Sequence, residues 1–222
     1  MNRPDSHYAG DAGVAYLDQR QGAASAHNQA LRASLFADLG SGRSAILDFG
    51  CGTGGVVSRI PAVRRIGVEI GEAAGEVARS RGIEVHRSLD EVADRTVDVA
   101  ISFHALEHVD SPAEIVRELV RVVRPGGRLR LIVPAELATE PTEATWRPND
   151  DMHLYTWTPL LLGNLAQHCG LTDISAKVSP MPTASRAVRY LKFAPPVSRR
   201  MHWYLARRRN FLNTILDARV PS

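Results

Sequence analysis

Cysteine is scarce in this chain: Cys51 and Cys169 are the only two among 222 residues. Two thiols so spaced build neither a disulfide framework nor a zinc module, and the expected setting is reducing and cytoplasmic. Long apolar runs are also missing. The first ten residues are polar, with no stretch suited to a signal peptide. The longest apolar runs are strand-sized, which argues against a membrane span. Neither an internal repeat nor a low-complexity block appears, and no charge of one sign dominates, the net being +3. That charge is unevenly spread. Residues 186–222 hold nine Lys/Arg against a single acid, Asp217, so a basic tail follows a mildly acidic body.

What is present is ordinary for a globular chain: 44% hydrophobic and 23% charged residues, with a length that suits one domain able to bury its own core. Short apolar runs alternate with helix-period stretches. Strands are expected at Ser44–Gly50, Arg65–Ile70, Glu84–Ser88, Val97–Phe103, Arg128–Val133 and Thr172–Ser179. Helices are expected from Thr53 to Ile60, over Glu72–Arg81 up to Gly82, over Pro112–Val123 and over Pro159–His168 up to Gly170. Such alternation implies right-handed crossovers, hence a doubly wound, mainly parallel α/β sheet with helices on both faces. Ligands in open sheets of this kind sit outside the carboxyl ends of the strands.

The first of those ends carries Asp48-Phe49-Gly50-Cys51-Gly52-Thr53-Gly54-Gly55. Glycines let the backbone turn sharply and let a ligand come close. Gly50, Gly52 and Gly55 also satisfy the dinucleotide pattern G-x-G-x-x-G, and Glu69 lies where a ribose-binding acid belongs in either case. Asp48 separates the two. An anion two residues before the first glycine repels a diphosphate but suits a ligand with an amino group and a sulfonium, unless Asp48 merely bonds loop amides.

The stretches ILDFGCGTGG, GVEI, VDVAISFHALEHV and RVVRPGGRLRLIVP, in that order, resemble the class I S-adenosylmethionine-dependent methyltransferases over about residues 44–180. The resemblance implies a Rossmann-like sheet of seven strands, S-adenosylmethionine as cofactor and methyl transfer as the activity. By position, Asp48 and the backbone of Gly50, Cys51, Gly52 and Gly54 would hold the methionine part. Glu69 would take both ribose hydroxyls and Ile70 would pack on the adenine. Leu89 and Asp90 would border the adenine, although SLDEV departs from the usual acid that directly ends that strand. Phe103 and His104 would face the sulfonium. The seventh strand is not evident in the sequence, and the tail from Arg186 reads as helix. The layout expected is therefore an N-terminal helical cap over 1–43, a core over 44–180 and a basic, helical extension over 181–222.

His104-x-x-Glu107-His108 follows the fourth strand. Glu107-His108-Val109 looks like a frequent signature of the small-molecule branch of the family, where the pair often serves structure alone. Among ubiquinone-biosynthesis and small-RNA 2′-O-methyltransferases the related Glu-x-x-Glu-His binds a divalent ion. Here an imidazole replaces the first carboxylate, which weakens the case for magnesium and favours a softer metal. No metal is assigned; the candidate ligands are His104, Glu107, His108 and His153. As general bases, His104 leads and His153 follows, imidazole being the side chain suited to accept a proton near neutral pH.

Residues 136–157 lack periodicity, and a loop of that length in a compact domain is usually functional. Trp146, Asp150, Asp151, His153 and Tyr155 are the candidates for contacting the acceptor, with Trp157 and Leu154 alternatively packing the next helix. In the tail, Met201, Tyr204, Leu205, Phe211, Leu212, Ile215 and Leu216 fall on one helical stripe. That stripe would pack on the domain or a second subunit, or rest on an anionic membrane; an acidic body without a base-stacking module speaks against nucleic acid. The expected acceptor is a small molecule, sugar or lipid-linked intermediate methylated on a hydroxyl. RNA 2′-O-methylation and a non-catalytic, cofactor-binding regulator are the alternatives.

Overall fold

Apolar side chains at alternating positions build the sheet from both sides in a computed structural model, which describes residues 26–135, 153–181, 203–204 and 212–222. The strands are β1 (Ala45–Phe49), β2 (Arg64–Val68), β3 (Glu84–His86), β4 (Val97–Phe103), β5 (Val123–Pro134), β6 (Thr172–Pro180) and β7 (Leu212–Arg219). The α-helices are α1 (Ala26–Ser34), α2 (Glu72–Ser80), α3 (Pro112–Val122) and α4 (Pro159–His168). Single 3₁₀ turns lie at Val57–Arg59, Leu89–Glu91 and Leu106–His108. All seven strands form one sheet in the order β3-β2-β1-β4-β5-β7-β6. Pairs among the first five are parallel, and β7 runs antiparallel to both its neighbours.

Leu47, Ile66, Ala100, Leu129 and Leu131 point to one face, where Val116 and Leu119 of α3 and Leu162 of α4 cover them. Ile46, Val99, Ile101 and Ile132 point to the other, against Phe36 just after α1 and Ala78 of α2. Burial on both faces explains why β1 and β4 are almost continuously apolar rather than alternating with polar residues. Helix starts follow local chemistry. Pro112 and Pro159 stand in the first turns of α3 and α4, and the Thr158 hydroxyl accepts a hydrogen bond from Leu161 N at 3.2 Å.

Two expectations are corrected. The helix expected from Thr53 to Ile60 is only the 3₁₀ turn Val57–Arg59, because Pro61 holds Ile60 in extended backbone (φ −93°, ψ 128°) and stops propagation. The helical extension expected of the C-terminus fails over Leu212–Arg219, which is the seventh strand. A strand inserted between two others is buried on both sides, so its apolar residues lose the alternation that would mark it. The spacing of Leu212, Ile215 and Leu216 then imitates a helical stripe. Met201, Leu205 and Phe211 lie outside the described residues; Tyr204 is exposed. Among the described residues no helix is long and apolar enough to cross a membrane.

Arg130 ties the N-terminal segment to the sheet. From β5 its guanidinium donates to Leu35 O at 2.6 Å, to the Asp38 carboxylate at 2.5 Å and to Asp217 of β7 at 2.7 Å. Arg130→Ala should lower stability by about 1.5–3 kcal/mol, the range for charge-assisted bonds, measured as a lower melting temperature.

Candidate active site at the carboxyl edge

The strand order reverses between β1 and β4, the switch point outside whose carboxyl ends ligands bind in open sheets of this kind. After β1 the amides of Gly50 and Cys51 both donate to Val68 O of β2, at 2.9 and 3.2 Å. Gly50, Gly52 and Gly54 then take left-handed backbone, with φ of 72°, 52° and 72°. No regular α-helix follows this loop, so the dinucleotide reading loses the helix N-terminus that a pyrophosphate requires.

Two carboxylates stand at this loop. Asp48 is 2% exposed, and burial, reinforced by the negative charge of Glu69, pushes its pKa up to about 8. Glu69 bridges the turns after β1 and β2: its Oε2 accepts from Gly52 N at 2.8 Å and its Oε1 from Gly71 N at 2.7 Å. Burial raises its pKa as well, against those amide bonds. Beside it Ile70 is 43% exposed, an apolar side chain left open at the turn after β2. Leu89 is buried on the 3₁₀ turn after β3, whereas Asp90 is exposed and receives a hydrogen bond from the Ser88 hydroxyl. Cys51 is buried with its thiol pushed far up by desolvation, which removes it as a nucleophile.

At the end of β4, Phe103 and His104 stack with ring centroids 4.1 Å apart. Arg32 of α1 lies over Phe103, its guanidinium carbon 5.3 Å from the ring centroid, so the N-terminal helix covers this edge. His104 has φ of 53°, uncommon outside glycine, and its amide donates to Ile132 O at 2.8 Å. Burial lowers its pKa to about 4, so the ring is neutral at pH 7. Its Nε2 sits 2.9 Å from Asn213 Oδ1 of β7.

Glu107 is fully buried, its two carboxylate oxygens lack hydrogen-bond partners, and burial pushes its pKa up to about 8. Ligand atoms of Glu107, His108 and His153 all lie within 4.8 Å of one another. His104 is not of this group. One carboxylate and two imidazoles fit a borderline divalent ion such as zinc or iron(II) better than magnesium. The ring of His153 meets that of His108 at 4.9 Å, edge to face, and Leu154 N donates to Glu107 O at 2.9 Å. The end of the long loop is thereby docked on the His-Glu segment.

Of the acceptor candidates, Tyr155 lies nearby but its hydroxyl donates to Asp110 O at 2.8 Å. Trp157 is buried in the core and Leu154 is exposed. Trp146, Asp150 and Asp151 lie outside the described residues. Sequence reasoning missed Arg32 and Asn213. The only available signal for Asn213 was the β-branched pair Thr214-Ile215 beside it.

Residues 47–131 match a family model described as a methyltransferase domain. The ubiquinone biosynthesis O-methyltransferase of Hahella chejuensis is 36% identical over 97 residues, covering 38% of this chain and 40% of that protein. The norajmaline N-methyltransferase of Rauvolfia serpentina is 26% identical over 157 residues, 64% of this chain and 52% of that one. The chain thus spans about half or less of these curated relatives. Among solved structures, a SAM-dependent methyltransferase from Thermotoga maritima superposes with a TM-score of 0.65 at 14% identity, covering 93% of this chain and 97% of that one, a likeness of fold. Residues 47–131 thus resemble a methyltransferase domain, and the seven-stranded sheet has the fold of S-adenosylmethionine-dependent methyltransferases.

Proposed function

We propose that the chain transfers the methyl group of S-adenosylmethionine to a hydroxyl of a small molecule, sugar or lipid-linked intermediate. The observation that carries this reading is the pair of partly or fully buried acids, Asp48 and Glu69, around a left-handed glycine loop. A carboxyl driven toward its neutral form by burial ionises readily once a cation arrives, and the donor carries two, an ammonium and a sulfonium. In this reading Asp48 and Gly50–Gly54 hold the methionine part. Glu69 keeps its amide bonds and accepts both ribose hydroxyls on its remaining lone pairs. Ile70, Leu89 and Asp90 flank the adenine, and Phe103 and His104 face the sulfonium. The donor is already a strong electrophile, so alignment and exclusion of water supply most of the rate, and His104 takes the hydroxyl proton. The two relatives, an O-methyltransferase and an N-methyltransferase, bracket the acceptor chemistry.

Calorimetry with S-adenosylmethionine and, separately, NAD tests the donor; tight binding of NAD alone would sink the reading. Turnover is checked by homocysteine release from the product S-adenosylhomocysteine with cell extract as acceptor source. Binding should also release a proton near pH 7, because Asp48, protonated below about pH 8 in the free protein, must ionise against the cation. The measurement is the dependence of binding enthalpy on buffer ionisation enthalpy. For stability the sign runs the other way. A carboxyl whose folded pKa is raised from 3.8 favours the native state most at low pH, so its contribution falls as pH climbs from about 4 to about 8.

A second reading of the same site is favoured by the unpartnered oxygens of Glu107. Glu107, His108 and His153 would hold a borderline divalent ion that draws an acceptor oxygen into place. Zinc should then raise the melting temperature of the protein but not of Glu107→Gln, with magnesium and manganese weaker. Equal melting curves with and without metal after EDTA treatment would leave Glu107 as a protonated, structural carboxyl.

A further inference from the structure

Asn213 sits inside β7, paired with Pro134 on one side and Ser179 on the other, and is 2% exposed. Its two side-chain heavy atoms meet different partners. Oδ1 lies 2.9 Å from His104 Nε2, and Nδ2 donates to Met181 Sδ at 3.2 Å. An amide can be turned over with little change of shape, so its neighbours must decide which end is which. A thioether accepts and never donates, which assigns the nitrogen to the sulfur side and the oxygen to the imidazole side.

That assignment has a chemical consequence across the sheet. An amide oxygen can only accept, so the His104 nitrogen facing it must be an N–H donor. The ring is neutral at pH 7, since burial outweighs the bond to Asn213, and Arg32 of α1 with His108 and His153 on the other sides add positive charge that favours the neutral form. A neutral imidazole has one proton. With that proton on Nε2, the lone pair is on Nδ1. Three contacts hold the ring so: the left-handed backbone anchored on Ile132 O, the parallel face of Phe103, and Asn213.

We propose that Asn213 is a positioning residue, which holds His104 as the Nε2–H tautomer and so leaves Nδ1 as the proton acceptor of the methyl-transfer site. The part assigned to Nδ1 rests on the methyl-transfer reading above; the tautomer does not. Acting from the last strand of the sheet, Asn213 would do for His104 what a buried orienting group does for other histidine bases, fixing which nitrogen is basic.

Long-range ¹H–¹⁵N correlation spectra of ¹⁵N-histidine protein near pH 7, with His104 assigned by its loss in His104→Gln, read the tautomer directly. The wild type should show a protonated Nε2 and an unprotonated Nδ1. Asn213→Asp keeps an acceptor oxygen and should keep Nε2 protonated. Asn213→Leu, of similar volume, and Asn213→Val, a good strand residue, lack the acceptor and should lose the single Nε2–H form, the two nitrogens moving toward averaged shifts. A wild-type ring protonated on Nδ1, or an unchanged Nε2–H form in the folded Leu or Val variant, would overturn the proposal. The melting temperature, read without the donor, serves as the check on folding, and calorimetry reads donor affinity separately. If no form of the protein bound the donor, the methyl-transfer reading would fall while the tautomer result stood.

Discussion

Glu69→Ala should weaken binding of S-adenosylmethionine by 100-fold or more. The carboxylate is expected to accept both ribose hydroxyls, and hydrogen bonds to a charged group contribute roughly 1.5–3 kcal/mol each. Losing two corresponds to about 3 kcal/mol at the least, or about two decades in Kd. A second contribution comes from the protein itself. Glu69 clips Gly52 N at 2.8 Å and Gly71 N at 2.7 Å, so its removal frees both turns that frame the cleft. Glu69→Gln gives the intermediate case, since its one oxygen can still serve one amide and one hydroxyl while its nitrogen can accept from neither. Titration calorimetry of the wild type and both variants checks the order, with Gln between wild type and Ala. Unchanged affinity in Glu69→Ala would remove the ribose assignment.

Gly50→Ala is expected to be the most damaging single methyl group in the site. At φ of 72° an alanine adopts left-handed backbone at a cost of about 1–2 kcal/mol. The added Cβ would stand 2.5 Å from Ala105 Cβ, far inside van der Waals contact, and Ala105 is a short, stiff residue that can yield only by moving its backbone. Overpacking of this sort adds about 1–3 kcal/mol. The sum, about 2–5 kcal/mol, should appear as a melting temperature lower by roughly 5–15 °C for a domain of this size. Ala105 also follows His104, so the displacement passes to the turn that places the candidate base. The damage should therefore reach donor binding and turnover together. A variant as stable and as tight as the wild type would show that the loop has more room than its geometry allows.

Much of this architecture could be read before any coordinates. Val97–Phe103 and Pro159–His168 form where their apolar runs and proline start signals put them, because local chemistry and tertiary burial agree there. The glycine loop, Asp48 and Glu69 were legible for the same reason: each is demanded by a turn or a charge, and such demands leave fixed residue types at fixed spacing. The turn at Val57–Arg59 falls short of the expected helix because Pro61 forces Ile60 into extended backbone, a local stop that outweighs the apolar spacing before it. The seventh strand was missed because double burial erases alternation, and with it went Asn213, a polar residue whose use depends on a partner 109 positions earlier. Arg32 was likewise invisible, its place over Phe103 being set by packing of α1 rather than by any pattern around it. The separation of His104 from the Glu107 cluster is also a matter of backbone geometry: φ of 53° turns the imidazole toward Asn213, which no spacing rule could reveal.

The insertion of β7 between β5 and β6 bears on how the chain reaches its native form. These two strands are more than thirty residues apart in sequence and never touch as neighbours; each waits for residues 212–219 to arrive and bridge them. On a ribosome the parallel half of the sheet can assemble while synthesis continues, whereas His104 lacks its amide partner until residues 212–219 have left the exit tunnel. A nascent chain halted before Asn213 should therefore hold the parallel half of the sheet together while the His104 ring lacks the amide that orients it.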